Sequence, residues 1–96
     1  MNDKIREAVE RLFSACIHLK ESGRYIAHIN FNGHVETLAV SVDPAGTVYA
    51  DPSYAQTLSE YIYLKPSPLE TEAQILASLN ALIDRLYGMA EHEVAA

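Results

Sequence analysis

The chain has 96 residues, of which 49% are hydrophobic, and its 13 acidic and seven basic side chains give a formal net charge of −6. This length allows one domain with one core and is too short for a scaffold with a separate catalytic lobe. No apolar run reaches the roughly 18 to 20 residues that span a bilayer, and the N-terminus lacks the apolar core of a signal peptide. The excess of acidic side chains disfavours binding to nucleic acid, whose phosphate backbone is also negatively charged. We therefore expect one cytoplasmic domain, residues 1–96, without membrane or nucleic-acid partners.

The first predicted element is a helix over residues 3–22. Its apolar positions recur at alternating spacings of four and three residues, the period of an amphipathic helix. They are Ile5, Val9, Leu12, Cys16 and Leu19. Asn2 or Asp3 can cap the first turn, and Gly23 is the expected terminator because glycine readily adopts the positive φ of a C′ residue.

Two strands, 25–31 and 34–42, are predicted next, joined by the dipeptide Asn32-Gly33. An Asn-Gly pair supplies the two positive φ angles of a two-residue type I′ turn, so we expect Phe31 to lie opposite His34. One face of this ribbon is then largely apolar and needs a cover of helices. Its members are Tyr25, Ala27, Ile29, Phe31, Leu38, Val40 and Val42. The mixed, opposite face includes Ile26, His28 and Val35.

The sequence Asp-Pro-Ala-Gly at residues 43–46 predicts a three-residue hairpin loop that leads into a third strand over residues 47–50. An Asp-Pro pair then supplies the N-cap and the first helical residue of a short helix over residues 52–63. The end of this segment, from Glu60 to Leu64, also alternates like a strand, so both structures stay open there.

A second long helix is predicted over residues 68–91. Ser67, Pro68 and Glu70 stand where a capping box places its N-cap, first and third residues, and the apolar period that follows is the strongest in the chain. The last residues, 92–96, are expected to fray.

Together these elements predict an α+β fold: an N-terminal helix, a three-stranded antiparallel meander in the order 1-2-3, a short helix and a long C-terminal helix, with the helices packed on one face of the sheet. The apolar stripe of the C-terminal helix is wider than contact with a sheet requires. We expect this surplus, formed by Leu79, Leu82, Leu86 and their neighbours, to make a homodimer. The alternative is that the helices use it by packing on each other.

No catalytic, cofactor or metal site is predicted. In the expected register His28 and His34 point to opposite faces of the ribbon and cannot share an ion. Cys16 lies in the apolar stripe of the first helix, where burial makes a thiol inert, and it is the single cysteine, so no internal disulfide can form. The carboxylates are explained by caps, turns and a solvated helix surface. We expect a protein that is not an enzyme.

The tyrosines are the most suggestive feature of the sequence. Tyr49, Tyr54, Tyr61 and Tyr63 fall within fifteen residues that carry little charge. Tyrosine is enriched at interface hot spots, but the same rings could also roof the sheet with their hydroxyls in water. With Ile26, His28 and Val35 of the mixed face, these four residues are the predicted partner-binding set.

In size, acidity and lack of chemistry, the chain is similar to small accessory proteins of phages and mobile elements, which bind and block a host complex. We therefore expect a non-enzymatic module that occupies a surface of a larger protein, as an inhibitor of a host nuclease or defence complex or as a chaperone-like adaptor. The alternative is a small-molecule sensor or small enzyme, with a pocket between the sheet and the short helix that bears His28, Tyr49 or Tyr54.

Overall fold

The computed structural model describes residues 2–46 and 57–92 and contains two helices and three strands. The elements are α1 (Asp3–Glu21), β1 (Tyr25–Asn32), β2 (Thr37–Pro44), β3 (Leu58–Tyr63) and α2 (Glu72–His92). The strands form one antiparallel sheet in the order β1-β2-β3, and both helices pack together over one face of it. The predicted α+β fold class is confirmed. The predicted strand 47–50, the first part of the short helix and the end of the tail lie outside the described residues.

α1 follows its prediction closely. The side chain of Asn2 caps the helix, because its Oδ1 accepts a hydrogen bond from the Ile5 backbone N–H at 2.9 Å. Gly23 follows the last turn with a φ of 84°, the left-handed conformation expected of a helix terminator. The buried stripe consists of Ile5, Ala8, Leu12, Ala15, Cys16 and Leu19.

The connection from β1 to β2 corrects the predicted two-residue turn. Phe31 pairs with Leu38 rather than with His34, so residues 33–36 form a four-residue loop and β2 begins at Thr37. In the predicted register Phe31 would face a histidine and Ile29 a glutamate. In the structure Ile29 faces Val40, so each of these apolar side chains has an apolar partner across the ribbon.

The predicted faces of the ribbon nevertheless hold. Each β1 residue pairs four positions further along β2 than predicted, and an even shift leaves every side chain on its original face because strands alternate with period two. Leu38, Val40 and Val42 are accordingly buried beneath the helices. Gly46 has the positive φ, 85°, expected in the Asp-Pro-Ala-Gly segment, although Asp43 and Pro44 themselves belong to β2.

The predicted helix over residues 52–63 is wrong over residues 58–63, which form β3. This strand pairs with β2 through Val42 and Leu58 at one end and Thr37 and Tyr63 at the other. Leu58, Ile62 and the following Leu64 are buried, whereas Glu60 between them is exposed. The strand that Glu60 to Leu64 left open was the correct alternative. Pairing of β2 on both sides satisfies its backbone hydrogen bonds, which an isolated helical turn could not do.

α2 begins at Glu72, four residues later than the predicted start at Pro68. The Ser67 hydroxyl does accept hydrogen bonds, from the backbone N–H groups of Leu69 and Glu70 at 3.2 Å, but these bonds close a tight turn ahead of the helix.

The capping box of α2 is formed by Thr71 and Gln74. The Gln74 backbone N–H donates to the Thr71 Oγ1 at 3.3 Å, and the Thr71 backbone N–H donates to the Gln74 Oε1 at 2.7 Å. This reciprocal pair satisfies two donors at the helix start, so the helix begins after Thr71.

The surplus apolar surface of α2 is used inside the chain. Leu79, Leu82 and Leu86 are all buried, with at most 5% of their surface exposed, between α1, α2 and the sheet. The two helices pack on each other, as in the alternative, and this packing covers the three leucines within one chain. A homodimer through them stays a prediction.

Candidate functional site

The sheet face that points away from α1 and α2 is the candidate functional site. The register places its side chains in four rows that run across the three strands. From one end to the other, the rows are Ile26 and Asp43; His28, Ser41 and Ser59; Asn30, Ala39 and Tyr61; and Asn32, Thr37 and Tyr63. In the described part of the chain no helix packs on these rows. Asp43 and Thr37 are nevertheless buried, whereas Tyr61 and Tyr63 are exposed and available to other molecules.

Two tyrosines dominate one side of the outer sheet face. Tyr61 and Tyr63 lie two residues apart on β3, and 57% and 61% of their surfaces are exposed. Their ring centroids are 5.3 Å apart with an interplanar angle of 79°, an edge-to-face contact that holds each ring in place. Their neighbours on β2, Ala39 and Thr37, are small, so the rings stand above the sheet surface.

At the other end of the face, a histidine contacts a buried carboxylate. The His28 Nε2 lies 3.4 Å from the Asp43 Oδ2, and Asp43 is completely buried while about half of the His28 side chain is exposed. The sequence analysis assigned Asp43 to a turn and missed this contact, because the predicted register placed Thr37 rather than Ser41 opposite His28. The correct pairing puts Asp43 one row from His28 on the same face.

The structure brings together most of the predicted partner-binding residues that it describes. Ile26, His28, Tyr61 and Tyr63 share the outer sheet face. Val35, half exposed, lies in the loop at the end of the sheet where Thr37 pairs with Tyr63. The two remaining members of the set, Tyr49 and Tyr54, lie outside the described residues, as does their part of the predicted ligand pocket.

Beside the tyrosines, the β3 edge of the sheet is open within residues 2–46 and 57–92. The Leu64 N–H donates to the Glu36 carbonyl at 2.9 Å, so the even-numbered residues of this strand bond to β2. By the alternation of an antiparallel ladder, Ser59, Tyr61 and Tyr63 direct their backbone N–H and C=O groups away from β2. This edge was not predicted, because the Asp-Pro pair and the helical spacing of residues 52–63 favoured a short helix here.

A groove of about 320 Å³ runs between this edge and α2. Ile62 and Leu82 give it an apolar floor. Its rim is charged, since the Arg85 Nη1 lies 3.9 Å from the Glu60 Oε1 and Glu70 is close by. An open strand edge beside such a groove can accept an extended segment of another protein.

The single cysteine of the chain, Cys16, lies in α1 and is buried. Burial raises the pKa of the Cys16 thiol to about 11, which keeps it protonated and unreactive at neutral pH. Among the residues that the structure describes, no three His, Cys, Asp or Glu side chains are close enough to bind a metal ion together. Neither described helix is long and apolar enough to cross a membrane.

No protein-family model matches the chain, and no curated protein or solved structure shows significant similarity to it. A functional assignment therefore depends on the geometry and chemistry of the outer sheet face and of the β3 edge.

Proposed function

We propose that this chain is a non-enzymatic protein-binding module that occupies a surface of a larger partner through its outer sheet face. The observation that carries the proposal is the exposed tyrosine pair, Tyr61 and Tyr63, beside the open β3 edge. Neither ring is needed to fill the core, since more than half of each is exposed.

The energetics favour a protein partner over a small molecule. A tyrosine ring buries on the order of 150 to 250 Å² when covered, and its rigid two-torsion side chain loses little entropy in doing so. A ligand in the groove between β3 and α2 would keep one side in solvent, whereas small-molecule sites cover most of their ligand. The alternative of a small-molecule sensor or small enzyme therefore has less support.

The net charge of the chain indicates what kind of partner surface it binds. A net charge of −6 on 96 residues favours a basic surface, such as the nucleic-acid-binding face of a nuclease or defence complex. Blocking such a face needs no catalysis by the inhibitor. An inhibitor of a host complex, acting in the cytoplasm, is therefore our first version of the proposal, and a chaperone-like adaptor is the second.

The test is capture of the partner by tagged full-length protein from the native host, followed by affinity measurements with the purified partner. We expect the double variant Tyr61→Ala, Tyr63→Ala to weaken binding by at least about tenfold, the loss typical of hot-spot aromatics. Leu69→Ala is the matched control, because Leu69 is 94% exposed and precedes α2, off the sheet.

Thermal melting distinguishes a role of the two rings in partner binding from a role in the core. The double variant should melt within a few degrees of the unmodified chain, since truncation of exposed side chains has little effect on stability. Full retention of partner binding by the double variant would contradict the proposal. A large drop in melting temperature would instead assign the rings to the core.

A further inference from the structure

The opposite edge of the sheet carries an exposed apolar surface that the proposed function does not use. Phe13 and Ile17 of α1 and Phe31 of β1 each keep about half of their surface exposed. Between α1 and β1 lies a groove of about 210 Å³. It is lined by Phe13, Cys16, Ile17, Lys20, Ala27 and Ile29. Apolar strand edges of this kind are usually covered, because they otherwise promote association.

Among the residues that the structure describes, the backbone of β1 is also unpaired on this side. The Ala45 N–H donates to the Arg24 carbonyl at 2.8 Å, so the even-numbered residues of this strand bond to β2. The odd-numbered ones, Tyr25, Ala27, Ile29 and Phe31, therefore direct their N–H and C=O groups outward. No strand among residues 2–46 and 57–92 pairs with them.

We propose that a second copy of the chain covers this edge, with the two β1 strands pairing antiparallel about a two-fold axis to form a continuous six-stranded sheet. Pairing requires outward-facing residues on both strands, so odd-numbered residues must meet odd-numbered ones. The register that uses all four pairs Ala27 with Ile29, and Tyr25 with Phe31, of the second copy. The axis then passes His28.

The exposed side of α1 supports a second copy rather than an unrelated partner. Glu10, Phe13, Ile17 and Lys20 follow one another at spacings of three, four and three residues, and all four are exposed. When two such helices meet antiparallel, Phe13 lies opposite Ile17 and Glu10 opposite Lys20 of the other copy. The surface thus pairs apolar side chains with apolar ones and opposite charges with each other, as a two-fold interface requires.

A single two-fold axis can relate both the β1 strands and the α1 helices of the two copies. The groove places Phe13 and Ile17 of α1 beside Ala27 and Ile29 of β1, so the centre of the helical patch and the centre of the strand are at the same level. The tyrosine pair on β3 lies at the far edge of each copy. His28 lies both at the proposed axis and on the outer sheet face, but the tyrosine pair takes no part in the β1 pairing, so dimerisation and binding through the tyrosines can be tested separately.

Sedimentation of the full-length chain at about 50 μM tests the dimer, with an expected mass of twice 10.6 kDa. Glu10→Lys and Lys20→Glu each replace two attractive pairs by two repulsive ones, and we expect each to weaken the dimer by about tenfold. An equimolar mixture of the two variants should restore the affinity, because every Lys then faces a Glu. A monomeric unmodified chain, or a mixture no tighter than its components, would overturn the proposal.

Disulfide trapping tests the strand register. Residues opposite each other in a non-hydrogen-bonded pair have Cα atoms about 4.5 Å apart, within disulfide range, so His28→Cys should form a covalent dimer under mild oxidation. Asn30→Cys is the control, because its two copies would lie about 13 Å apart. Buried Cys16, with its pKa raised to about 11, should not compete at pH 8. Trapping through residue 30 but not 28 would refute the register.

The double variant Tyr61→Ala, Tyr63→Ala serves as a further control in sedimentation. It should dimerise like the unmodified chain, since β3 lies on the opposite edge of the sheet from β1. Loss of the dimer in this variant would place the interface on the tyrosine surface and contradict the β1 pairing.

Discussion

At the scale of single residues, Glu36 adopts the left-handed conformation in the loop between β1 and β2. Its φ is 50°, and it is the sole non-glycine residue with a positive φ in the part of the chain that the structure describes. A type I′ turn would have required positive φ at both Asn32 and Gly33, and neither has one. Glu36 takes this strained conformation where the loop returns the chain to β2, and its carbonyl accepts the Leu64 N–H.

We predict that Glu36→Gly stabilises the fold by about 1 kcal/mol, because glycine adopts positive φ without the steric cost of a Cβ. The measurement is urea denaturation followed by circular dichroism. This gain in the free energy of unfolding is partly offset, because glycine has more conformational entropy than glutamate in the unfolded chain.

Gly33→Ala is the matched control for this loop. An added Cβ at Gly33 would lie 3.4 Å from the ring of Phe31, which is half exposed and can yield, and Gly33 does not have a positive φ. We expect a change below about 0.5 kcal/mol. If Gly33→Ala lowered the free energy of unfolding strongly and Glu36→Gly did not raise it, the results would favour the two-residue turn.

At the scale of elements, α2 begins with a capping box as predicted, but the box is headed by Thr71 rather than by Ser67. The segment from Ser67 to Gln74 contains two sequences that resemble a capping box, one headed by Ser67 and one by Thr71. Both hydroxyls accept backbone hydrogen bonds, but only Thr71 and Gln74 bond reciprocally. Local sequence offered two starts, and geometry selected the second.

We predict that Thr71→Ala lowers the free energy of unfolding by about 1 kcal/mol, the usual cost of losing an N-cap. Ser67→Ala, in the exposed turn ahead of the helix, should cost less than half as much. Urea titrations of both variants provide the comparison. An equal or greater loss from Ser67→Ala would return the cap to the predicted position.

The strand β3 is the element that sequence analysis assigned wrongly. Its two buried residues, Leu58 and Ile62, are four positions apart, a spacing that also fits a helical turn, and six residues are too few for periodicity to separate the two structures. The assignment depends on β2, whose outward backbone groups need a second partner. The candidate site could not be predicted in full for the same reason: the tyrosines were identified, but the open edge beside them was not.

At the scale of the whole molecule, the two helices and the sheet share one core. Residues from all five elements contribute to it, including Leu12 of α1, Val40 of β2 and Leu79 of α2, each at most 1% exposed. The same packing that buries α2 leaves Phe13 and Ile17 of α1 uncovered. The exposed apolar surface of the helices therefore lies on α1, whereas the sequence predicted it on the C-terminal helix.

We predict that Leu79→Ala lowers the free energy of unfolding by about 2 to 5 kcal/mol, the range for a leucine removed from a closed core. Leu69→Ala, at a fully solvated leucine, should change it by less than about 0.5 kcal/mol. Chemical denaturation measures both. A stability loss below 1 kcal/mol for Leu79→Ala, accompanied by a change in sedimentation, would restore the α2 dimer interface.

The sequence by itself determined what depends on neighbouring residues: the span of α1, the existence of α2, and which side chains of the β1–β2 ribbon face the helices. These features follow from short-range periodicity, and an even shift in register cannot alter them. Only the tertiary structure decided the register of β1 on β2, the strand at β3 and the apolar surface left exposed. Each of these depends on pairing and packing between residues far apart in the chain, where the free energy of burial and of backbone hydrogen bonds outweighs local preference.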